Sequence, residues 1–139
     1  MRTIKKSRPH PGPPGFALVM ESDLDLRAVI RAALLLDGHR VECVPDCAGV
    51  LAWRSSVDPQ PDAFVLALGA GELDKDWATL QRALDDDVVL SRSAVIVLLT
   101  IRNGLTFPAR ARILQKPFAM ERLLALFASD VGAAQGLPV

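Results

Sequence analysis

Tyrosine is absent from this 139-residue chain, and cysteine, histidine, methionine and tryptophan each occur only two or three times. With two histidines, one of them among the first ten residues, the chain offers no recognisable nucleophile with its base, so an enzyme is the least supported class. Cys43 and Cys47 form a C-x3-C pair with no further cysteine, which fits neither a zinc ligand set nor a C-x-x-C redox motif; both read as small, reduced core residues. The loop Gly69-Ala70-Gly71 is neither a P-loop nor a G-x-G-x-x-G fingerprint. No run approaches the roughly 18 to 20 apolar residues of a membrane span, and the basic N-terminus leads into proline and glycine instead of a secretory apolar segment, so a cytoplasmic protein is expected.

Half of the residues are apolar, enough for one domain with a proper core and, at this length, too few for two. The formal net charge is zero but unevenly spread. Residues 1–15, MRTIKKSRPHPGPPG, carry Arg2, Lys5, Lys6 and Arg8 without an acid and leave the remainder mildly acidic. Rich in proline and glycine and without an apolar period, this leader is expected to be disordered or extended. It has no aromatic residue and no DNA-binding fold behind it, which argues against nucleic acid as a partner.

Order is expected from Phe16. FALVM is a short apolar run, followed by Glu21-Ser22-Asp23 and a segment in which Leu26, Val29, Ile30, Ala33 and Leu36 recur at helical spacing until Gly38. Ser22 with Asp25 three residues later fits a capping box, and Asp23 and Asp25 complement the helix dipole. His39 to Val44 reads as a second strand, and Pro45-Asp46 opens a helix containing Val50, Leu51 and Trp53. Ala63 to Leu68 is a third strand, followed by a helix from Asp74 with Trp77, Leu80, Leu84 and Val88 on one face and Asp85, Asp86 and Asp87 at its end. Ala94 to Leu99 is apolar throughout, as a central strand covered on both faces should be. A brief strand at Ile113 to Gln115 and a helix with Met120, Leu123, Leu124 and Phe127 on one face complete the series. The alternation predicts an α/β fold with a parallel sheet, right-handed crossovers and a site at the C-terminal strand edge. The tip of the third strand is where a nucleophile would sit, and Ala67 stands there.

Four motifs, VMESDLDLR, PDAFVLALG, AVIVLLT and QKPF, occur in this order and separation across residues 16–128 and together resemble the receiver domain of two-component response regulators. The resemblance implies a doubly wound five-stranded flavodoxin-like sheet of order 2-1-3-4-5. It also implies an aspartate phosphoryl acceptor on the third strand, a Mg²⁺ held by acids after the first, and a hydroxyl and a lysine that contact the phosphoryl oxygens.

Carried over by position, Ala67 occupies the acceptor place, Glu21 matches the first acid and Ser22 replaces the second. Leu99 falls at the hydroxyl position with Thr100 one residue beyond, and Lys116 is kept. A methyl group cannot be phosphorylated, and with one carboxylate left of three the Mg²⁺ site is expected to be lost, leaving no cofactor. Asp62 is roughly 16 Å from Ala67 at the wrong end of the strand, and Asp74 lies in the following loop, so neither is a ready substitute. Lys116 could bind an anion or form an ion pair with Glu21; in the family the peptide bond before the following proline is cis and the phenylalanine enters the core.

The fourth helix is expected to be shortened or missing, because residues 101–111 contain Gly104 and Pro108 and no helical period. The family's aromatic switch position falls at Ile113. Leu105 and Phe107 beside Arg102, Arg110 and Arg112 either form an exposed partner patch with a basic rim or cover the sheet where a helix was lost. Residues 129–139 read as a C-terminal tail, so any output is expected from another chain. The resemblance therefore implies an atypical receiver in a bacterial signalling pathway, a phosphorylation-independent pseudo-receiver that binds a protein partner or itself as a homodimer. The alternative is control by phosphorylation at an unusual residue or by a small anion at Lys116.

Overall fold

Five short apolar runs become the strands of one parallel sheet in a computed structural model that describes residues 14–53, 60–68, 75–100 and 107–134. The strands are β1 (Phe16–Met20), β2 (Arg40–Val44), β3 (Ala63–Leu68), β4 (Ala94–Leu99) and β5 (Arg112–Gln115), in the order β2-β1-β3-β4-β5. The helices are α1 (Leu24–Leu36), α2 (Cys47–Trp53), α3 (Lys75–Asp86) and α4 (Met120–Ala134), with a 3-10 turn at Leu90–Arg92. Every residue of β1 and β3 is buried, whereas β2 and β5 carry exposed Arg40, Glu42, Arg112 and Gln115. Fully apolar strands take the centre of the sheet and mixed ones its edges.

The pleat divides each central strand between two cores. Ala17, Val19, Val65, Ala67, Ile96 and Leu98 face α1 and α4. Leu18, Met20, Leu66, Leu68, Val97 and Leu99 face α2 and α3. Alternate side chains point to opposite faces, so one continuous apolar run serves both layers.

Several local expectations are corrected by the packing. The N-cap of α1 is Asp23 and not Ser22: its Oδ1 accepts from the backbone N–H groups of Asp25 at 2.9 Å and Leu26 at 3.1 Å. Gly38 closes the helix at φ 93°, a backbone angle that glycine takes without steric cost. The inner face of α1 is Ile30 and Leu34, while Val29 and Leu36 point to solvent. Val88 lies beyond α3, exposed, because Asp87 Oδ1 accepts from Val89 and Leu90 N–H and turns the chain into the 3-10 turn.

The last helix runs six residues past position 128, where the tail was expected to begin, since Val131 joins the core and Asp130 pairs with Arg112 at 3.0 Å. At the other end Gly15 is already part of the domain: its N–H donates to His39 Nδ1 at 2.9 Å and its carbonyl accepts from Arg40 N–H at 2.8 Å. The expected leader lies, up to residue 13, outside the described residues. The expectation of a short or missing fourth helix falls mainly on residues 101–106, also outside them; residues 107–111 are not helical. Among the described residues no helix is long and apolar enough to cross a membrane.

Candidate functional site

Parallel pairing sets the ends of β1, β3, β4 and β5 side by side, so residues just beyond four strands meet. Met20 is in register with Leu66, which carries Glu21, the next residue, alongside Ala67. The Glu21 backbone N–H donates to Val44 O at 3.3 Å. Its carboxylate is buried and doubly engaged: Oε2 accepts from Asp23 N–H at 2.9 Å, and Oε1 accepts from Lys116 Nζ at 3.2 Å. The side chains are 5 % and 20 % exposed for Glu21 and Lys116, so this is a largely desolvated pair.

Lys116 is held by its own backbone, whose N–H donates to Leu99 O at 2.8 Å, and is followed by a cis Lys116-Pro117 bond. Gln115 anchors the same corner: its Nε2 donates to the carbonyls of Leu99 at 3.1 Å and Thr100 at 3.0 Å. Sequence reasoning missed this amide, because a glutamine ending an edge strand has no pattern that sets it apart.

Ala67 is 3 % exposed and belongs to the core beneath α1 and α4. Its neighbour across β4 is Leu98, while Leu99 packs on the other face among the α2 and α3 residues. Thr100 and Ser22 are exposed at the rim, and Thr100 N–H donates to Leu68 O at 3.1 Å. Asp62 is far from this edge in function as well as position, since its Oδ2 accepts from the N–H of Phe16 at the start of β1. Asp74 lies outside the described residues. Among the described residues no group of three or more histidine, cysteine, aspartate or glutamate side chains is gathered in a way that could hold a metal ion.

The candidate partner residues fall into different surroundings. Phe107 is half-buried against Trp77, ring centroids 5.8 Å apart, and packs on the α2 and α3 core. Arg110 is a clamp: Nε donates to Ser93 O at 2.8 Å, and its two terminal nitrogens donate to Leu84 O at 3.0 Å and Leu90 O at 3.2 Å. Burial lowers the Arg110 pKa, with the Asp85 carboxylate opposing that shift. Arg112 is exposed on one side and paired with buried Asp130 on the other; burial raises the Asp130 pKa and Arg112 lowers it. Ile113 is half-buried against the α2 and α3 core. Arg102 and Leu105 lie outside the described residues.

No protein-family model matches the chain, and no curated protein matches it. Solved structures do. The signal receiver domain of a signal transduction histidine kinase from Syntrophus aciditrophicus superposes with a TM-score of 0.73 at 19 % identity, over 86 % of this chain and 91 % of that one. The signal receiver domain of an HD domain-containing protein from Pseudomonas fluorescens Pf-5 gives 0.73 at 15 % identity, over 89 % and 99 %. A response regulator receiver domain protein (CheY-like) from Methanospirillum hungatei JF-1 gives 0.69 at 16 % identity, over 88 % and 98 %. Sheet order, helix placement and these likenesses agree: the chain has the flavodoxin-like fold of response regulator receiver domains.

Proposed function

We propose that this chain serves signal transduction as a phosphorylation-independent, receiver-like module that binds a protein partner through a fixed surface. One observation carries the reading. At the strand tip where receivers are expected to present an acceptor carboxylate, this chain places the buried methyl of Ala67. The pocket lysine Lys116 is answered by Glu21 and so is already compensated without a phosphoryl group.

The donor set suits Mg²⁺ poorly. Among the described residues Glu21 supplies the one pocket carboxylate, its oxygens are committed to Lys116 and to Asp23 N–H, and neither Ser22 nor Ala67 adds charge. A hard dication needs more anionic oxygen than this, so no metal-dependent step belongs to the reading. The role in signalling comes by likeness of fold and rests on that association. The partner surface includes the exposed edge at Arg112; the other sequence candidates Arg102 and Leu105 lie outside the described residues.

The test is an amide NMR titration with Mg²⁺ and then with Mg²⁺ plus beryllofluoride. Unmoved resonances around Glu21, Ala67 and Lys116 are expected, together with an unchanged intact mass after incubation with acetyl phosphate. Localised, saturable shifts or a phosphoryl adduct would replace this reading with control by a small anion or by phosphorylation at an unusual residue.

A further inference from the structure

The chain enters β1 through Gly15, and a buried histidine holds it there. The Gly15 N–H donates to His39 Nδ1 at 2.9 Å, while its carbonyl accepts from Arg40 N–H at 2.8 Å. A ring nitrogen that accepts carries no hydrogen, so this bond assigns His39 as the neutral tautomer protonated at Nε2. The imidazole is 1 % exposed. On its Nε2 side stands Asp37, the C-cap residue of α1, with Oδ2 at 3.5 Å and a side chain that is itself buried. From α4 the ring meets Phe127 edge-on, centroids 4.6 Å apart. The other charged groups at this end of the sheet are turned elsewhere. Asp62 Oδ2 accepts from Phe16 N–H at 2.8 Å, Asp130 of α4 pairs with Arg112, and the Arg40 guanidinium lies over the Phe16 ring, 3.8 Å from Glu42.

We propose that His39 is a proton-operated clasp on the entry to β1: neutral, it holds Gly15, and on taking up a proton at Nδ1 it releases Gly15 and the chain ahead of it, leaving Asp37 to face the imidazolium. The lone pair that accepts the Gly15 N–H is the one that binds the proton, so a closed clasp and a charged ring exclude each other. The open form carries one proton more, and acid therefore favours it. Asp37 offsets the cost of a buried imidazolium, which lets the ring charge without unfolding the domain. Release stops at Gly15, because Phe16 is tied by its own N–H to Asp62 and β1 is paired on both sides. The seat itself is a close backbone approach: a Cβ at Gly15 would overlap the Val131 side chain and stand 3.2 Å from the Phe127 ring. The chain ahead of Gly15 carries Arg2, Lys5, Lys6 and Arg8, so the clasp sets where a basic segment is attached, at Gly15 when closed and at Phe16 when open. None of these residues belongs to the Glu21 and Lys116 pocket, so the clasp and the proposed function fail independently.

The experiment is nitrogen-15 NMR of the full chain from about pH 7.5 to 4.5, following the ring nitrogens of His39 and the hydrogen-exchange protection of the Gly15 amide. At the neutral end Nδ1 should read as a bare acceptor and Nε2 as protonated. Over one acid step both nitrogens should become protonated, and Gly15 should lose protection about tenfold or more with the same midpoint, while the amides of Val19 and Val65 keep theirs. Asp37→Asn should move that midpoint to lower pH, since the imidazolium loses its carboxylate. His39→Asn places an amide oxygen near the former Nδ1 and does not titrate, so its Gly15 amide should stay protected throughout; should that variant fail to fold, the titration of the parent still decides. A ring that titrates while the Gly15 amide stays protected overturns the proposal. So does a ring that stays neutral until Val19 and Val65 lose protection with it, or a midpoint that Asp37→Asn leaves in place.

Discussion

Lys116 Nζ donates to Glu21 Oε1 at 3.2 Å across ninety-five positions of sequence, closing the edge of the sheet where β1 and β5 end on either side of β3. The Glu21 carboxylate supplies the negative charge that compensates the Lys116 ammonium at this edge. Lys116→Met should therefore destabilise the domain by about 2 kcal/mol in urea titrations, because Glu21 is left buried with an uncompensated charge. The double variant Glu21→Gln, Lys116→Met should recover most of that loss; if it is less stable than either single variant, the pair contributes through something other than mutual compensation.

Arg110 holds three carbonyls from three places, the end of α3, the 3-10 turn and the residue before β4. Removing it takes a charged donor from all three, and Leu90 O is left with the Ser93 N–H at 3.2 Å. Arg110→Ala is expected to cost about 3 kcal/mol. Arg110→Lys should restore little of it, since an ammonium lacks the planar fork that reaches several carbonyls at once. Chemical denaturation of the two variants side by side decides the point.

Phe107 reports whether residues after β4 cover the sheet or stand clear of it. Its ring contact with Trp77 predicts that Phe107→Ala lowers stability by about 2 kcal/mol and shifts tryptophan emission to the red. An unchanged spectrum and midpoint would return Phe107 to the solvent-facing patch.

Asp130 makes stability depend on pH in a direction opposite to a well-solvated salt bridge. Burial raises its pKa above the ordinary 3.8, with Arg112 only partly opposing. A carboxyl whose folded pKa exceeds its unfolded one contributes stability that is fully present below the unfolded value and is lost as pH rises through the folded value. The stability of the parent relative to Asp130→Asn should thus fall from acid pH toward neutrality. Urea midpoints of both proteins across that range test it, and a difference that grows with pH would show that Arg112 dominates.

Periodicity and spacing made much of this molecule legible. Ala63 to Leu68 and Ala94 to Leu99 are strands with the expected limits, since an unbroken short apolar run between turn residues has few other stable uses. The place of Ala67 near the end of the third strand was readable because position along a strand is a local property. The Glu21 and Lys116 contact was readable because parallel strands bring their ends to one edge.

What only the tertiary structure decided are the matters where sequence is degenerate. Helix α1 is apolar nearly all round, so its own pattern could not tell that Leu34 faces inward while Val29 and Leu36 face out; the position of the sheet made that choice. Val88 continues the spacing of Trp77, Leu80 and Leu84, yet the side chain of Asp87 ends the helix first. Arg110 and Gln115 look like surface residues in the chain and become the ties of two loops, because what a long polar side chain reaches depends on which distant carbonyls the fold leaves within its span.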